Sequence, residues 1–319
     1  MMMVCGEALL DVFAAGETGT GLALDARVGG SPFNLAVGLA RLGQPVGFFS
    51  AISTGFAGER LMRALVAEGV DTGAVARNDA PTTLSLIGLD AQGVPSYAFY
   101  GDGCADRLLD AADLARVPDD ITALSIGSYA TVVEPVASAL RALVARVRGQ
   151  RQGQEQPRGP GALIAYDPNI RLNVEPDLQR WRDQLAWMLP RTDLLKISDE
   201  DLGLLQPSTA PDAFAAHALA QGVKAVVVTR GALGALGWTA QASAASAPVP
   251  VDVIDTVGAG DTFQAALLTW LAEHAALKPE ALGALAPAGL HDALAFAARA
   301  AAITCSRRGA DMPRRAELH

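Results

Sequence analysis

The chain has 319 residues, of which 50% are hydrophobic, and it carries 34 acidic against 25 basic side chains. This much apolar surface excludes a disordered protein and a small disulfide-stapled one, because neither class can build a large core. The formal net charge of -9 argues against nucleic acid as a partner, since binding to phosphates requires clustered cations.

The cysteines are odd in number and widely spaced: Cys5, Cys104 and Cys305. Without a CxxC pair, they predict reduced thiols rather than a zinc or redox centre. Acidic residues interrupt the apolar N-terminal stretch, and no basic residue precedes Arg27, which is unlike a signal peptide. No apolar run approaches the roughly 18 residues of a membrane helix. We therefore expect a cytoplasmic protein with no membrane partner.

Short apolar runs alternate with longer helical patterns along the chain. The main predicted strands are 46–52, 122–127, 162–166, 193–197 and 224–229. The main predicted helices are 31–42, 56–68, 136–148, 178–189 and 213–221. Such alternation favours βαβ crossovers and a mainly parallel sheet covered on both faces.

The helix over 31–42 has the clearest boundaries. Ser31 is a suitable N-cap, Pro32 suits the first helical position, and Gly43 suits the position after the helix. This pattern predicts a well-defined helix that begins just after a Gly-Gly pair.

Two segments depart from the alternation of strands and helices. Residues 83–90 and 94–100 predict a β-hairpin around the AQG turn at 91–93, and 10–28 reads as short strands. Together, 10–28 and 83–100 predict a small sheet that acts as a lid on a single domain spanning 1–319. Its apolar residues, such as Leu84, Leu86 and Ile87, are expected to be exposed and to favour a homodimer. Residues 149–161 predict a flexible surface loop.

The sequence IDTVGAGDTF, from Ile254, is the strongest candidate for chemistry. Gly258, Ala259 and Gly260 are small enough for their amides to approach an anion, and the following helix directs its positive end there. Asp261 either takes a proton from an attacking hydroxyl or merely caps the helix.

Other polar groups follow predicted strands, where ligands collect in parallel sheets. Asn34 in GGSPFN has an amide that can bind sugar hydroxyls, and Asp11 can accept hydrogen bonds from two hydroxyls. Structural interpretations are also open: a capped loop for GGSPFN and a solvated acid for Asp11. The acidic residues of KISDED are able to order Mg²⁺-bound water or simply to open a helix. P-loop, GxGxxG and GxSxG motifs are absent from the sequence.

Taken in order, the motifs GEALLDVF, GGSPFNLAVGLARLG, YDPNIR, KISDED, VVVTRGALGAL, DTVGAGD and TCSRRGA resemble the ribokinase-like, or PfkB, sugar kinases. Within that family, the chain looks most like bacterial fructokinases. The resemblance covers nearly the whole chain, from Gly6 to about Pro313. It implies a three-layer αβα Rossmann-like domain with a β-sheet lid. It further implies ATP and Mg²⁺, and phosphorylation of a primary alcohol of a sugar.

The resemblance also implies roles for individual residues. Those near the reaction are the base Asp261, the anion hole Gly258, Ala259 and Gly260, and Asp167 and Arg171 by the transferring phosphate. Those that hold the sugar are Asp11, Gly29, Gly30 and Asn34. Those along the nucleotide are Lys196, Ser198, Thr229, Gly231 and Gly234. Those near cations are Glu200 or Asp201 for Mg²⁺, and Asp255 and Thr256 for a monovalent cation such as K⁺.

The chain departs from the family pattern at the adenine side. Many relatives have asparagine near Ala298, and alanine cannot make that hydrogen bond, so weaker adenine selectivity or backbone contacts are expected. The alternatives to a fructokinase are a 2-keto-3-deoxygluconate kinase, a ribose or nucleoside kinase, and a catalytically silent binding module on the same scaffold.

Overall fold

The computed structural model describes residues 1–89, 95–152 and 161–318. Its strands are β1 Met2–Cys5, β2 Leu9–Glu17, β3 Leu22–Gly29, β4 Val46–Phe49, β5 Ala51–Ser53, β6 Ala76–Asn78, β7 Leu84–Leu89, β8 Pro95–Tyr100, β9 Ala123–Gly127, β10 Leu163–Asp167, β11 Leu194–Ser198, β12 Ala225–Thr229, β13 Ala235–Thr239 and β14 Ser243–Ser246. Its α-helices are α1 Ser31–Arg41, α2 Phe56–Ala67, α3 Val136–Gln152, α4 Leu178–Met188, α5 Asp199–Leu205, α6 Pro211–Ala220, α7 Ala259–Glu273, α8 Pro279–Gly283 and α9 Pro287–Cys305.

The described strands form a main sheet of eight, in the order β14-β13-β12-β11-β10-β9-β1-β4. From β4 to β12 neighbouring strands are parallel, and the edge strands β13 and β14 are antiparallel. The central strands are apolar and buried on both sides, as parallel strands covered by helices must be. The predicted mainly parallel sheet is confirmed.

Helices cover both faces of this sheet. Side chains of α1, α7 and α9 pack in one hydrophobic core, and side chains of α3, α4 and α6 pack in the other. Strand residues alternate between the two cores, so that Met2 and Val4 belong to the first while Met3 and Cys5 belong to the second. The three-layer αβα architecture is therefore confirmed.

A separate small sheet has the order β3-β2-β7-β8, with β2 and β7 parallel and the outer pairs antiparallel. The predicted hairpin is present, whereas its AQG turn at 91–93 lies outside the described residues. The expected exposure of Leu84 and Leu86 is wrong, because both pack against the first core. Ile87 points to the opposite face of the strand and lines a cavity.

Helix α1 begins one residue earlier than its sequence suggests. Gly30 is the N-cap, with φ of 103°, and Ser31 is the first helical residue. The prediction of Ser31 as N-cap is therefore wrong, since its hydroxyl donates to Asp261 of α7 instead. Gly43 follows the helix with φ of 83°, as predicted.

The other predicted elements agree with the structure to within two residues, with two exceptions. The predicted strand 46–52 is two strands, β4 in the main sheet and β5 paired with β6. Helix α3 continues to Gln152, so residues 149–152 of the predicted loop are helical, and residues 153–160 lie outside the described ranges. Among the described helices, we find none with the length and apolar character needed to cross a bilayer.

Candidate active site

Two cavities formed by described residues meet at the start of α7. The first, about 490 Å³, lies between the small sheet and the carboxyl ends of the main strands, and we call it the sheet cavity. The second, about 590 Å³, lies against α9 and the loop after β12, and we call it the helix cavity. Thr256 and Gly260 line both cavities, whereas Asp261 lines the sheet cavity and Ala259 the helix cavity. A molecule bound in the sheet cavity would therefore meet a molecule bound in the helix cavity at Gly260.

The turn between the cavities requires its glycine. Gly258 has φ of 77°, in the left-handed region, and a Cβ there would lie 2.6 Å from the Cβ of Ala310. The amide of Ala259 donates a hydrogen bond of 3.2 Å to the carbonyl of Thr256, and the amide of Thr262 donates one of 2.8 Å to the carbonyl of Gly258. The first-turn amides and the positive helix end therefore lie where the cavities join.

Asp261 lies at the N-terminus of α7, but its carboxylate contacts α1. Its Oδ1 accepts a hydrogen bond of 2.6 Å from Ser31 Oγ, and its Oδ2 accepts one of 2.9 Å from Asn34 Nδ2. Burial raises the pKa of Asp261, while these two donors and the charges of Arg171 and Lys196 oppose the rise. The capping interpretation does not describe this geometry, because the N-cap of α7 is Gly258.

The Gly-Gly pair before α1 shapes the sugar-binding candidates. A Cβ on Gly29 would lie 2.3 Å from Asp11 Oδ2, and a Cβ on Gly30 would lie 2.9 Å from the carbonyl oxygen of Glu7. Asp11 is half-buried, and its loss of solvent contact raises its pKa to about 6. Asp11, Gly30 and Asn34 line the sheet cavity together with Arg171, and Gly29 lies against Asp11.

Lys196 and Asp167 form a partly buried ion pair close to the turn. Asp167 is the last residue of β10 and Lys196 is the middle residue of the adjacent β11, with 2.5 Å between Nζ and Oδ2. A Cβ on Gly260 would lie 3.7 Å from Lys196 Nζ, which places this cation close to the junction of the cavities. Lys196 was predicted to lie along the nucleotide. The structure places it beside Gly260, and it is not among the residues that line the helix cavity.

The remaining nucleotide candidates divide into two groups. Thr229, Gly231 and Gly234 line the helix cavity, and so does Ala298 of α9. Gly234 has φ of 80°, and a Cβ there would lie 2.3 Å from the carbonyl oxygen of Ser246, at the end of β14. Ser198 instead caps α5, where its Oγ accepts a hydrogen bond of 3.0 Å from the amide of Asp201.

The two Mg²⁺ candidates differ in environment. Glu200 is exposed, whereas Asp201 is buried and accepts a hydrogen bond from the Ile170 amide at 3.3 Å. Burial, and then the charge of Asp167, raise the pKa of Asp201 to about 6. In the part of the chain that the structure describes, no three acidic, histidine or cysteine side chains cluster as metal ligands. Mg²⁺ that is bound mainly through water and phosphate needs only one or two carboxylates, and of the two candidates only Asp201 lies close enough to Asp167 for their charges to interact.

Asp255 stabilises the loop that precedes the Gly258 turn by accepting two backbone hydrogen bonds. Its Oδ1 accepts from the Val257 amide at 3.0 Å, and its Oδ2 accepts from the Gly309 amide at 2.8 Å. Next to Gly309, the carbonyl of Arg308 accepts a 3.4 Å hydrogen bond from Arg27 of β3. The small sheet and the loop that carries Thr256 are thus tied to one C-terminal segment.

Sequence reasoning missed Glu7 and Ser31 as site residues. Glu7 lines the sheet cavity and is 2% exposed. An acidic residue directly after a buried first strand is the signal that could have identified it. The sequence predicts Ser31 only as the N-cap of α1. Its hydrogen bond to Asp261 depends on the packing of α7 against α1, which no local pattern indicates.

Comparisons with known proteins agree with this geometry. The model of the pfkB family of carbohydrate kinases matches residues 1–316. A fructokinase of Rhizobium leguminosarum bv. trifolii is 36% identical over 271 residues, which cover 85% of this chain and 79% of that protein. Probable fructokinase-4 of Arabidopsis thaliana is 31% identical over 285 residues, which cover 88% of this chain and 82% of that protein.

The fold is similarly shared with solved structures. The crystal structure of a fructokinase with bound ATP from Xylella fastidiosa superposes with a TM-score of 0.82 at 28% identity, covering 99% of this chain and 96% of that one. The family match spans nearly the full sequence, and it includes both the small sheet and the turn before Asp261. The chain belongs to the pfkB family of carbohydrate kinases.

Proposed function

We propose that this protein is an ATP-dependent fructokinase, which transfers the γ-phosphate of ATP to a primary hydroxyl of D-fructose and forms fructose 6-phosphate. The observation that carries the proposal is the meeting of two cavities at Gly260, with Asp261 on the side of the small sheet. The similarity to the Rhizobium leguminosarum fructokinase supports fructose as the acceptor, and the ATP-bound Xylella fastidiosa structure supports ATP as the donor.

In this proposal the sheet cavity holds the sugar. Asp11 and Asn34 bind its hydroxyls, and Arg171 lies on the path of the transferring group. Asp261 accepts the proton of the attacking hydroxyl while the new oxygen–phosphorus bond forms and the bond between the γ-phosphorus and its bridging oxygen breaks. ADP leaves with the electron pair of that broken bond.

The charge that develops on the phosphoryl oxygens needs stabilisation. The amides of the first turn of α7 supply oriented dipoles, and Lys196 and Arg171 supply positive charge. Mg²⁺, when bound, neutralises charge on the ATP phosphates, and Asp201 is the residue that fits it through water. Because both oxygens of Asp255 accept backbone amides, a K⁺ ion at the loop would be held mainly by carbonyls near Thr256.

The small sheet is the proposed lid, and it also presents a surface for a second copy of the chain. Leu24 and Tyr100 are 52% and 59% exposed, and the strand pairing places them on the face opposite the sheet cavity. Sedimentation should therefore detect a homodimer at micromolar concentration, and Leu24→Glu should dissociate it. A monomeric wild type would reject the dimer. Unchanged hydrogen exchange in 10–28 and 83–89 on adding fructose would reject the lid.

The decisive experiment is a coupled assay of ADP release with fructose, 2-keto-3-deoxygluconate, ribose and adenosine. The expected result is the highest kcat/KM with fructose. A higher value with 2-keto-3-deoxygluconate would replace the acceptor, and sugar binding without ADP release would indicate a silent module. Since the proposed reaction consumes ATP, the proposal also assigns the protein to the cytoplasm.

A further inference from the structure

Glu7 occupies the floor of the sheet cavity. It follows β1 at the carboxyl end of the main sheet, and the chain turns there through Gly6, whose φ is 142°. The backbone of Gly30 passes directly over it, since a Cβ on Gly30 would lie 3.3 Å from Glu7 Cγ. This packing holds the carboxyl group in place between the first strand and the N-terminus of α1.

The carboxyl group of Glu7 is buried and incompletely bonded. Glu7 is 2% exposed, and within the described ranges neither its Oε2 nor the Oγ of nearby Ser128 has a hydrogen-bond partner. A buried polar atom without a partner costs free energy, and because Glu7 lines the sheet cavity, a ligand that enters the cavity can complete the bonding of its carboxyl group. The acidic residues nearby are better satisfied: Asp106 accepts hydrogen bonds from Thr83 and Tyr129.

The surroundings favour the neutral form of this acid. Burial is the main cause that raises the pKa of Glu7 to about 8, and the charge of Asp106 adds to it. The Ser128 hydroxyl and the charge of Arg171 act in the opposite direction. Near pH 7 the group is therefore mostly a carboxylic acid, which can both donate and accept a hydrogen bond.

We propose that Glu7 is a specificity-determining residue whose carboxyl group hydrogen-bonds a hydroxyl of the acceptor sugar at the floor of the sheet cavity. The inference rests on the proposed function, because it assigns the sheet cavity to the sugar. Asp11 and Asn34 contact the sugar from the wall of the cavity, and Glu7 contacts it from below. A sugar that lacks the hydroxyl at that point leaves the buried carboxyl unpaired and binds more weakly.

The test compares Glu7→Gln with Glu7→Leu. The amide of Gln keeps a donor and an acceptor, while Leu keeps the approximate size and removes both. Glu7→Leu should raise KM for fructose by about 10-fold or more, because a buried hydrogen bond to the sugar is lost, and should leave KM for ATP within about twofold. Glu7→Gln should bind fructose more tightly than Glu7→Leu. The exposed pair Glu17→Gln and Glu17→Leu in β2 is the matched control.

The pH dependence gives a second readout that a purely structural role would not produce. KM for fructose of the wild type should rise above about pH 8, where Glu7 loses its proton, and that rise should be absent in Glu7→Gln. An equal rise in both proteins, or equal changes in KM for fructose and ATP in Glu7→Leu, would overturn the proposal. If Glu7→Leu does not fold, the pH comparison decides alone. A wild type that phosphorylates a different sugar would reject the proposed acceptor, and the same comparison would then be made with that sugar.

Discussion

Ser31 Oγ and Asp261 Oδ1 lie 2.6 Å apart although 230 positions separate them in the chain. Ser31 begins α1, and Asp261 lies in the first turn of α7, so the N-termini of two helices converge on one carboxylate. Donors and positive helix ends favour the charged form, while burial favours the neutral form. The balance between these effects sets the pH at which the buried carboxylate can act as the proposed base.

Replacing Asp261 with Ala should abolish most turnover without unfolding the protein. Removal of a general base lowers kcat by roughly 10²–10⁴, while affinities for ATP and sugar change little. Measurements of kcat and Tm on one preparation check this result. A variant that is less stable by about 1 kcal/mol yet still turns over would show that Asp261 has only a structural role.

Ser31→Ala should shift the acid limb of the pH profile of kcat to higher pH. The Ser31 hydroxyl lowers the pKa of Asp261, so its removal raises that pKa further. Because the base acts only when ionised, activity is then lost at a higher pH than in the wild type. Asn34→Ala should produce the same shift and should also raise KM for the sugar more than KM for ATP. An acid limb that does not move in Ser31→Ala would contradict this account.

Gly29→Ala should impair sugar binding selectively. A Cβ there would lie 2.3 Å from Asp11 Oδ2, so the carboxylate must move away from the sheet cavity. We expect a higher KM for fructose with an unchanged KM for ATP, measured by steady-state kinetics. Gly203→Ala in α5 is the control, since a Cβ there meets no atom within 4 Å. Equal kinetics for the two variants would show that the position of Asp11 is unimportant.

Lys196→Met should be strongly destabilising. The side chain of Lys196 is buried and that of Asp167 is partly buried, 4% and 14% exposed, and removal of the cation leaves an uncompensated carboxylate at a cost of up to about 3–5 kcal/mol. The double variant Lys196→Met with Asp167→Asn should recover part of that loss, because neither charge is then buried alone. Urea denaturation of the four proteins tests the coupling. Strictly additive losses would show that the pair does not interact.

Local signals were sufficient for most of the architecture. Buried apolar strands alternate with amphipathic helices, and Gly43 ends α1 as its sequence indicates. The motif around Gly258 likewise predicted a glycine turn with accessible backbone amides at the start of a helix. These features depend on residues close together in the chain, so the sequence alone was enough to identify them.

The contacts that complete the site are between distant segments. The role of Ser31 depends on α7, and the burial of Leu84 and Leu86 depends on how the small sheet packs on the core. The buried state of Glu7 similarly depends on the passage of Gly30 above it. No local pattern encodes such approaches, because the same residues would suit a capped helix or an exposed strand equally well.

The close contact between α1 and α7 has a further consequence. A Cβ on Gly38 would lie 2.8 Å from the Cβ of Ala265 and 2.6 Å from the sulfur of Met312, so the two helices touch with almost no space between them. Asn34 and Asp261 are therefore carried by a single rigid unit, whereas Asp11 and Ile87 are carried by the small sheet. Substitutions in β2 and β7 can then change the acceptor preference while the contact between Asn34 and the proposed base Asp261 stays constant.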